Sequence, residues 1–222
     1  MLHNSSHNIA HKDCWPTVKL GRDPSVLTSI YEENVNIVVW QRERQDILEQ
    51  YASQWVNQYP SHTPRILLPA QNPVPQLTEL LPDINYVAEF TQDLVLLIDM
   101  FACLFEAQEV GLRIAPLTTA MCPRFHVDNI PCRLVATYGG LGTQWLSEDN
   151  IDRRRLGRGA GGLSDNESGI FKDDKAIEQL DSQHVGLLKG SGWIGNEKYG
   201  LVHRSPHLQP GQSRLLVTLD CL

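Results

Sequence analysis

The densest chemistry in the chain lies between Cys122 and Cys132, in the run CPRFHVDNIPC. His126 and Asp128 stand two apart. On an extended strand, residues i and i+2 project from the same face, so one strand offers an imidazole and a carboxylate side by side. A third donor comes 75 residues after Asp128, where the strand-like run LVH ends in His203. Two histidines and one carboxylate hold a non-haem Fe(II) ion from one side and leave open positions on the other. Each residue also has a plainer reading: His126 and Asp128 as a hydrogen-bonded pair on a strand edge, His203 as a core histidine bonded to backbone. The thiols offer another arrangement. Cys122, His126 and Cys132 make a Cys-x3-His-x5-Cys pattern that, with Asp128 or His207, could close a tetrahedral zinc site. Pro123 and Pro131 oppose the regular strand such a site needs, and both thiols also read as small buried hydrophobes.

Eleven residues after His203, Arg214 opens the last apolar run, RLLVTL. A buried arginine there could grip a carboxylate with both arms of its guanidinium. Arg124 shares parity with His126 and is expected near it. Tyr138, Trp145, Trp193 and His207 are candidate pocket residues, with Trp193 the preferred wall because its Gly-rich loop precedes the His203 strand. Thr218 and Asp220 read as structural. Residues 157–162 (GRGAGG) match a dinucleotide-binding pattern in letters only. DRRR precedes them and SDNE follows, where that fingerprint needs a strand and a helix. Arg153, Arg154, Arg155 and Arg158 read as a solvated charge run, or as a lid over an anion. His3, His7 and His11 would share a helical face beside Cys14, a weak metal clamp, but Pro16 and Gly21 favour a polar tail.

The elements that must position these groups divide near Gly111. Residues 1–24 are expected to be a flexible tail and 25–222 a single domain, with 25–110 mostly helical and 111–220 a β-barrel core. Asp23-Pro24 reads as a helix start, Asp capping and Pro at the first helical position. Val35–Trp40 reads as a strand. Residues 45–59 and 84–109 read as helices from apolar residues recurring every three or four positions. The 84–109 stripe is expected to pack across the outer face of the barrel. Residues 60–75, with five prolines, read as a connector. After Gly111, short strands are expected at 111–118, 133–138, 185–189, 200–203 and 214–219, with 147–176 as a polar insertion. Short strands separated by turn signals indicate an all-β sandwich or barrel rather than a βαβ fold.

The chain has 222 residues, 41% hydrophobic and 20% charged, which excludes fibrous and disordered classes. Its net charge of −7 disfavours nucleic-acid binding. The apolar run Leu94–Ile98, interrupted at Asp99, is far too short to span a membrane. The expectation is a cytoplasmic protein whose five cysteines are reduced.

His126-x-Asp128, His203 and Arg214 together resemble the signature of Fe(II)/2-oxoglutarate-dependent dioxygenases, with a His-to-Arg spacing similar to the phytanoyl-type branch. The turn Gly139–Thr143 (GGLGT) resembles the glycine turn after the first metal strand in such enzymes. This resemblance covers about residues 111–220. It implies a double-stranded β-helix, a jelly-roll or cupin-like barrel, within an α+β chain. It makes His126, Asp128 and His203 the iron ligands and Arg214 the anchor for 2-oxoglutarate. The blocks MCPRFHVD (121–128), GTQWL (142–146), LKG (188–190), HRSP (203–206) and RLLVTLD (214–220) more closely resemble an uncharacterised bacterial family, domain of unknown function 1826. That family's gene neighbourhoods imply a link to zinc homeostasis and a metallochaperone GTPase partner. Two functions are therefore expected: an oxygenase acting on a small molecule, or a non-catalytic metal-binding protein, holding zinc or iron, on the same barrel.

Overall fold

A computed structural model describes residues 16–221; the histidines at 3, 7 and 11 and Cys14 lie outside the described residues. The chain runs β1 (Thr17–Gly21), β2 (Val35–Trp40), α1 (Asp46–Gln58), β3 (Arg65–Pro69), α2 (Val74–Leu80), α3 (Val87–Phe105), β4 (Glu109–Leu117), β5 (Cys132–Tyr138), β6 (Gln144–Leu146), α4 (Asp165–Ser168), β7 (Ile177–Gln179), β8 (Val185–Lys189), β9 (Val202–Arg204) and β10 (Arg214–Asp220). Asp23 caps the turn that follows β1 by accepting the Ser25 amide, with Pro24 at the first position, but the element is a 3-10 helix, Pro24–Tyr31.

The fold is mixed, with helices beside two sheets. The larger has the order β1-β2-β8-β5-β10-β4-β3 and the smaller β7-β6-β9. Among the described residues only β1 and β2 pair in parallel; every other strand pairing is antiparallel. The division at Gly111 therefore needs correction. Three strands of the large sheet come from before it: β1 from the expected tail, β2, and β3 from the expected Pro-rich connector. Pairing with distant strands supplies the backbone partners that local pattern does not announce. Among the described residues no helix is long and apolar enough to cross a membrane.

The large sheet separates two environments by its period of two. Leu134, Ala136 and Tyr138 of β5 and Leu215, Val217 and Leu219 of β10 share one core with Tyr51 and Trp55 of α1 and Phe90, Leu94, Leu97 and Phe101 of α3. Fully burying each Leu, Val or Phe among them contributes about 1.5–3 kcal/mol. The alternate residues face the small sheet. There Ile37, Val39, Val135 and Leu188 pack with Trp145, Leu180 and Leu201. Beside this second cluster the space between the sheets opens into a cavity.

Candidate metal centre

His126 and His203 are opposite each other in an antiparallel bridge that extends the small sheet beyond β9. Each amide donates to the other's carbonyl at 3.0 Å, and the rings lie side by side with centroids 4.5 Å apart. Asp128, two residues on, joins them on that face. One ligand atom from each of the three lies within 4.8 Å of the others. His126 Nδ1 donates to the Arg124 carbonyl at 2.9 Å and His203 Nδ1 to the Leu201 carbonyl at 3.2 Å. A carbonyl can only accept, so both protons sit on Nδ1 and both Nε2 lone pairs are free. Backbone carbonyls orient metal-binding histidines in this way.

The free Nε2 atoms face Asp128: His126 Nε2 is 3.6 Å from Oδ1 and His203 Nε2 3.5 Å from Oδ2. These contacts are too long for hydrogen bonds. They suit a shared ion, because donors ~2.0–2.2 Å from one centre stand roughly 3–3.6 Å apart. Burial holds the His203 imidazole down to about 4, against an opposing pull from Asp128, so it is neutral, as a ligand must be. The donor set therefore fits a divalent metal.

Asp128 Oδ2 accepts from Arg133 Nη1 at 2.6 Å, and Arg133 forks onto Asp220 through Nε at 2.7 Å and Nη2 at 2.8 Å. Sequence reasoning missed this Asp220–Arg133–Asp128 chain. Parity along β5 and β10 carried a signal, since Arg133 and Asp220 are register partners on the cavity face. The cavity is about 510 Å³ and is lined by His126, His203, Arg133, Asp220, Thr218 and Ser205 among others, within the usual range for small-molecule sites.

Arg214 is 1% exposed. Its Nη1 donates to the Leu141 carbonyl at 3.0 Å and its Nη2 to Ser205 Oγ at 2.8 Å. Its buried Nε has no partner, and no carboxylate pairs with it among the described residues. Burial alone lowers its pKa to about 10. Arg214 does not itself line the cavity; Ser205, which it touches, does. The glycine turn makes this contact possible. Gly140 has φ +73°, and a Cβ there would sit 2.3 Å from the Ser213 carbonyl.

Several expected site residues lie elsewhere. Tyr138 faces the helices, where its hydroxyl meets Asp93 and Arg42. Trp193 packs on Tyr31 and Phe105 and under Lys189, on the helix side. Trp145 is register partner to His203 but fills the apolar cluster between the sheets. Arg124 and His207 line a separate depression with Ser164 and Asp165. Cys132 is fully buried among the helix-facing residues, where burial pushes its thiol up, and it cannot join Cys122 as a zinc ligand. Cys122 lines the cavity but is outside the three-residue cluster. Three of the four arginines of the insertion are paired, Arg155 with Asp152 at 3.9 Å among them, while Arg158 is exposed. Arg153 forks onto Glu148 and reaches the Gly200 carbonyl, and Arg154 pairs with Asp152. Near its end, a capping box of Ser164 and Glu167 sets α4. Asp165 there accepts from the Phe125 amide and from Arg204, both at 2.9 Å, steadying the segment that carries His126.

The fold is similar to those of two proteins solved with 2-oxoglutarate. The dioxygenase for auxin oxidation 1 from Arabidopsis thaliana, solved with 2-oxoglutarate, superposes with TM-score 0.52 at 9% identity, over 94% of this chain and 92% of that one. Neurospora crassa T7H, solved with alpha-KG and 5-formyluracil, superposes with TM-score 0.50 at 10% identity, over 95% and 85%. No curated protein matches the chain. The chain belongs to the DUF1826 family, described as a protein of unknown function, which it matches over residues 21–220.

Proposed function

We propose that the protein is a non-haem Fe(II)- and 2-oxoglutarate-dependent oxygenase built on a jelly-roll barrel formed by the two sheets. The observation that carries this reading is the coexistence of two incomplete sites: three metal donors converging at a cavity, and a buried arginine without a carboxylate. The fold shared with the 2-oxoglutarate complexes supports it. His126, Asp128 and His203 would hold the ion, and Arg214 the far carboxylate of the keto acid. Fe(II) with 2-oxoglutarate, when bound, would supply O₂ activation coupled to conversion of the keto acid to succinate and CO₂, with one oxygen atom delivered to the substrate. The chain's own part is binding and orientation. The Arg124 and Leu201 carbonyls fix the imidazoles, Arg133 fixes Asp128, and Ser205 with Leu141 aims Arg214. The apolar cluster around Trp145 closes the space beside the cavity to water.

The test is metal analysis followed by anaerobic isothermal titration of 2-oxoglutarate into the Fe(II) protein. Wild type is expected to bind it. His126→Ala, Asp128→Ala and His203→Ala each lose the metal. Arg214→Ala keeps the metal but weakens 2-oxoglutarate by about 2–5 kcal/mol, the cost of truncating one partner of a buried charged pair. A wild type that holds zinc stoichiometrically at these residues and binds no 2-oxoglutarate overturns the oxygenase and leaves a metal-binding protein.

A further inference from the structure

We propose that Arg65 and Arg113 form an oxyanion subsite in the metal cavity, so that the molecule oxidised there carries a carboxylate or phosphate group. Naming that molecule the substrate rests on the oxygenase reading; the subsite itself rests on the charges and strand register of the cavity wall.

Four arginines line the cavity: Arg65, Arg113, Arg133 and Arg204. Two are neutralised. Arg133 holds Asp220 and Asp128, and Arg204 holds Asp165. Arg65 and Arg113, both solvent-exposed where they line the cavity, make no ion pair and no side-chain hydrogen bond among the described residues. They are nonetheless register partners on β3 and β4. Like charges placed directly opposite on paired strands repel and destabilise the sheet. A single charge on the edge strand β3 would be enough to deter pairing with another chain. Arg113 is on β4, inside the sheet, where that purpose does not apply. Two adjacent guanidinium groups facing one cavity present forked donors and a double positive charge, the chemistry that recognises an oxyanion.

Register locates this pair relative to the metal centre. One row across the sheet reads Arg65, Arg113, Thr218, Val135, and the next reads Leu67, Gly111, Asp220, Arg133. The arginines are thus one row, roughly 7 Å along the strands, from the Asp220–Arg133 pair that touches Asp128. The neighbouring acid, Asp220, is not free to neutralise them, because Arg133 occupies both of its oxygens. Arg214 lies four residues along β10 from Thr218, roughly 13 Å away along the strand, so the two anion-binding points are separate.

The test is isothermal titration of inorganic phosphate and, separately, of acetate into the full chain without added metal, at low ionic strength. Wild type is expected to bind at least one of them. Judged in the Arg214→Ala background, so that binding at Arg214 does not enter, Arg65→Gln and Arg113→Gln should each weaken it about tenfold and the double variant should abolish it. The ion that responds tells a phosphate-bearing from a carboxylate-bearing substrate. Melting temperatures of the two single variants should equal or exceed wild type, since repulsion is removed. No binding of either ion to wild type, or equal binding by the double variant, overturns the subsite. So does a 2-oxoglutarate affinity that falls in the double variant and is indifferent to Arg214→Ala, which would make the pair the keto-acid anchor. If 2-oxoglutarate binds nowhere but phosphate or acetate still depends on Arg65 and Arg113, the oxygenase reading fails and the anion subsite stands.

Discussion

The two faces of the large sheet handle charge in opposite ways. On the helix side, Asp93 interrupts the apolar stripe of α3 and is met by both Nη atoms of Arg42 and by the Tyr138 hydroxyl. Arg42 Nε donates to the Gln183 carbonyl at 2.6 Å, and the Gln183 amide pairs with the Gln45 backbone in both directions. Both charged side chains are about 6% exposed, and each charge is answered inside the protein. On the cavity side some groups are not answered: Arg214 Nε on β10 without a partner, and, on β9 and the bridge beside it, two imidazole lone pairs 3.5–3.6 Å from a carboxylate. Across β3 and β4 two arginines face each other. A chain able to complete a buried network on one face has left the other face incomplete. The buried members, Arg214 and His203, are costly to leave without partners, a cost that the proposed metal and keto acid would relieve.

This contrast predicts where substitutions act. Asp93→Ala should have the largest effect on stability, because it strands a buried guanidinium: about 3–5 kcal/mol, out of a total that for most domains is 5–15 kcal/mol. Tyr138→Phe removes only one hydrogen bond to a charged acceptor and should cost about 1.5–3 kcal/mol. Both are read from urea unfolding midpoints. Metal bound per folded molecule should stay at the wild-type value in each. A variant of this network that folds but loses metal would show that the two faces are not independent.

What the sequence disclosed followed the range of each rule. The strand at 35–40 and the helices at 46–58 and 87–105 follow local periodicity and emerge within three residues of expectation at their starts and four at their ends. His126 and Asp128 were legible because i and i+2 on an extended segment share a face, a rule that needs no knowledge of the fold. The same rule misleads at Cys132. It shares even numbering with His126, but the chain bends at residues 129–131, and parity does not survive a bend. Proximity in sequence to the His203 strand points Trp193 at the cavity, whereas its loop folds back toward Tyr31, more than 160 residues earlier. Strands β1 and β3 exist through partners on β2 and β4. Arg133 and Asp220, 87 residues apart, meet only once the register of β5 against β10 is known.

Asp220→Asn should give the smallest effect and the sharpest test of the contrast. Asp220 touches no metal donor; it holds Arg133, which holds Asp128. Losing its charge leaves Arg133 attracted to Asp128 alone. That draws electron density from the carboxylate and frees the guanidinium to shift its angle. Groups that orient metal ligands typically change affinity by about 10–100-fold, and Asp220 acts through one further residue, so about tenfold is expected. Stability should change by less than about 1 kcal/mol, because the pair is partly exposed. The readout is metal affinity by competition with a chromophoric chelator, set beside the urea midpoint of the same variant. Metal affinity falling while the midpoint holds marks Asp220 as a positioning residue for the cavity face. A midpoint loss as large as that of Tyr138→Phe, with unchanged metal affinity, would place Asp220 with the closed network of the other face and end the distinction drawn between them.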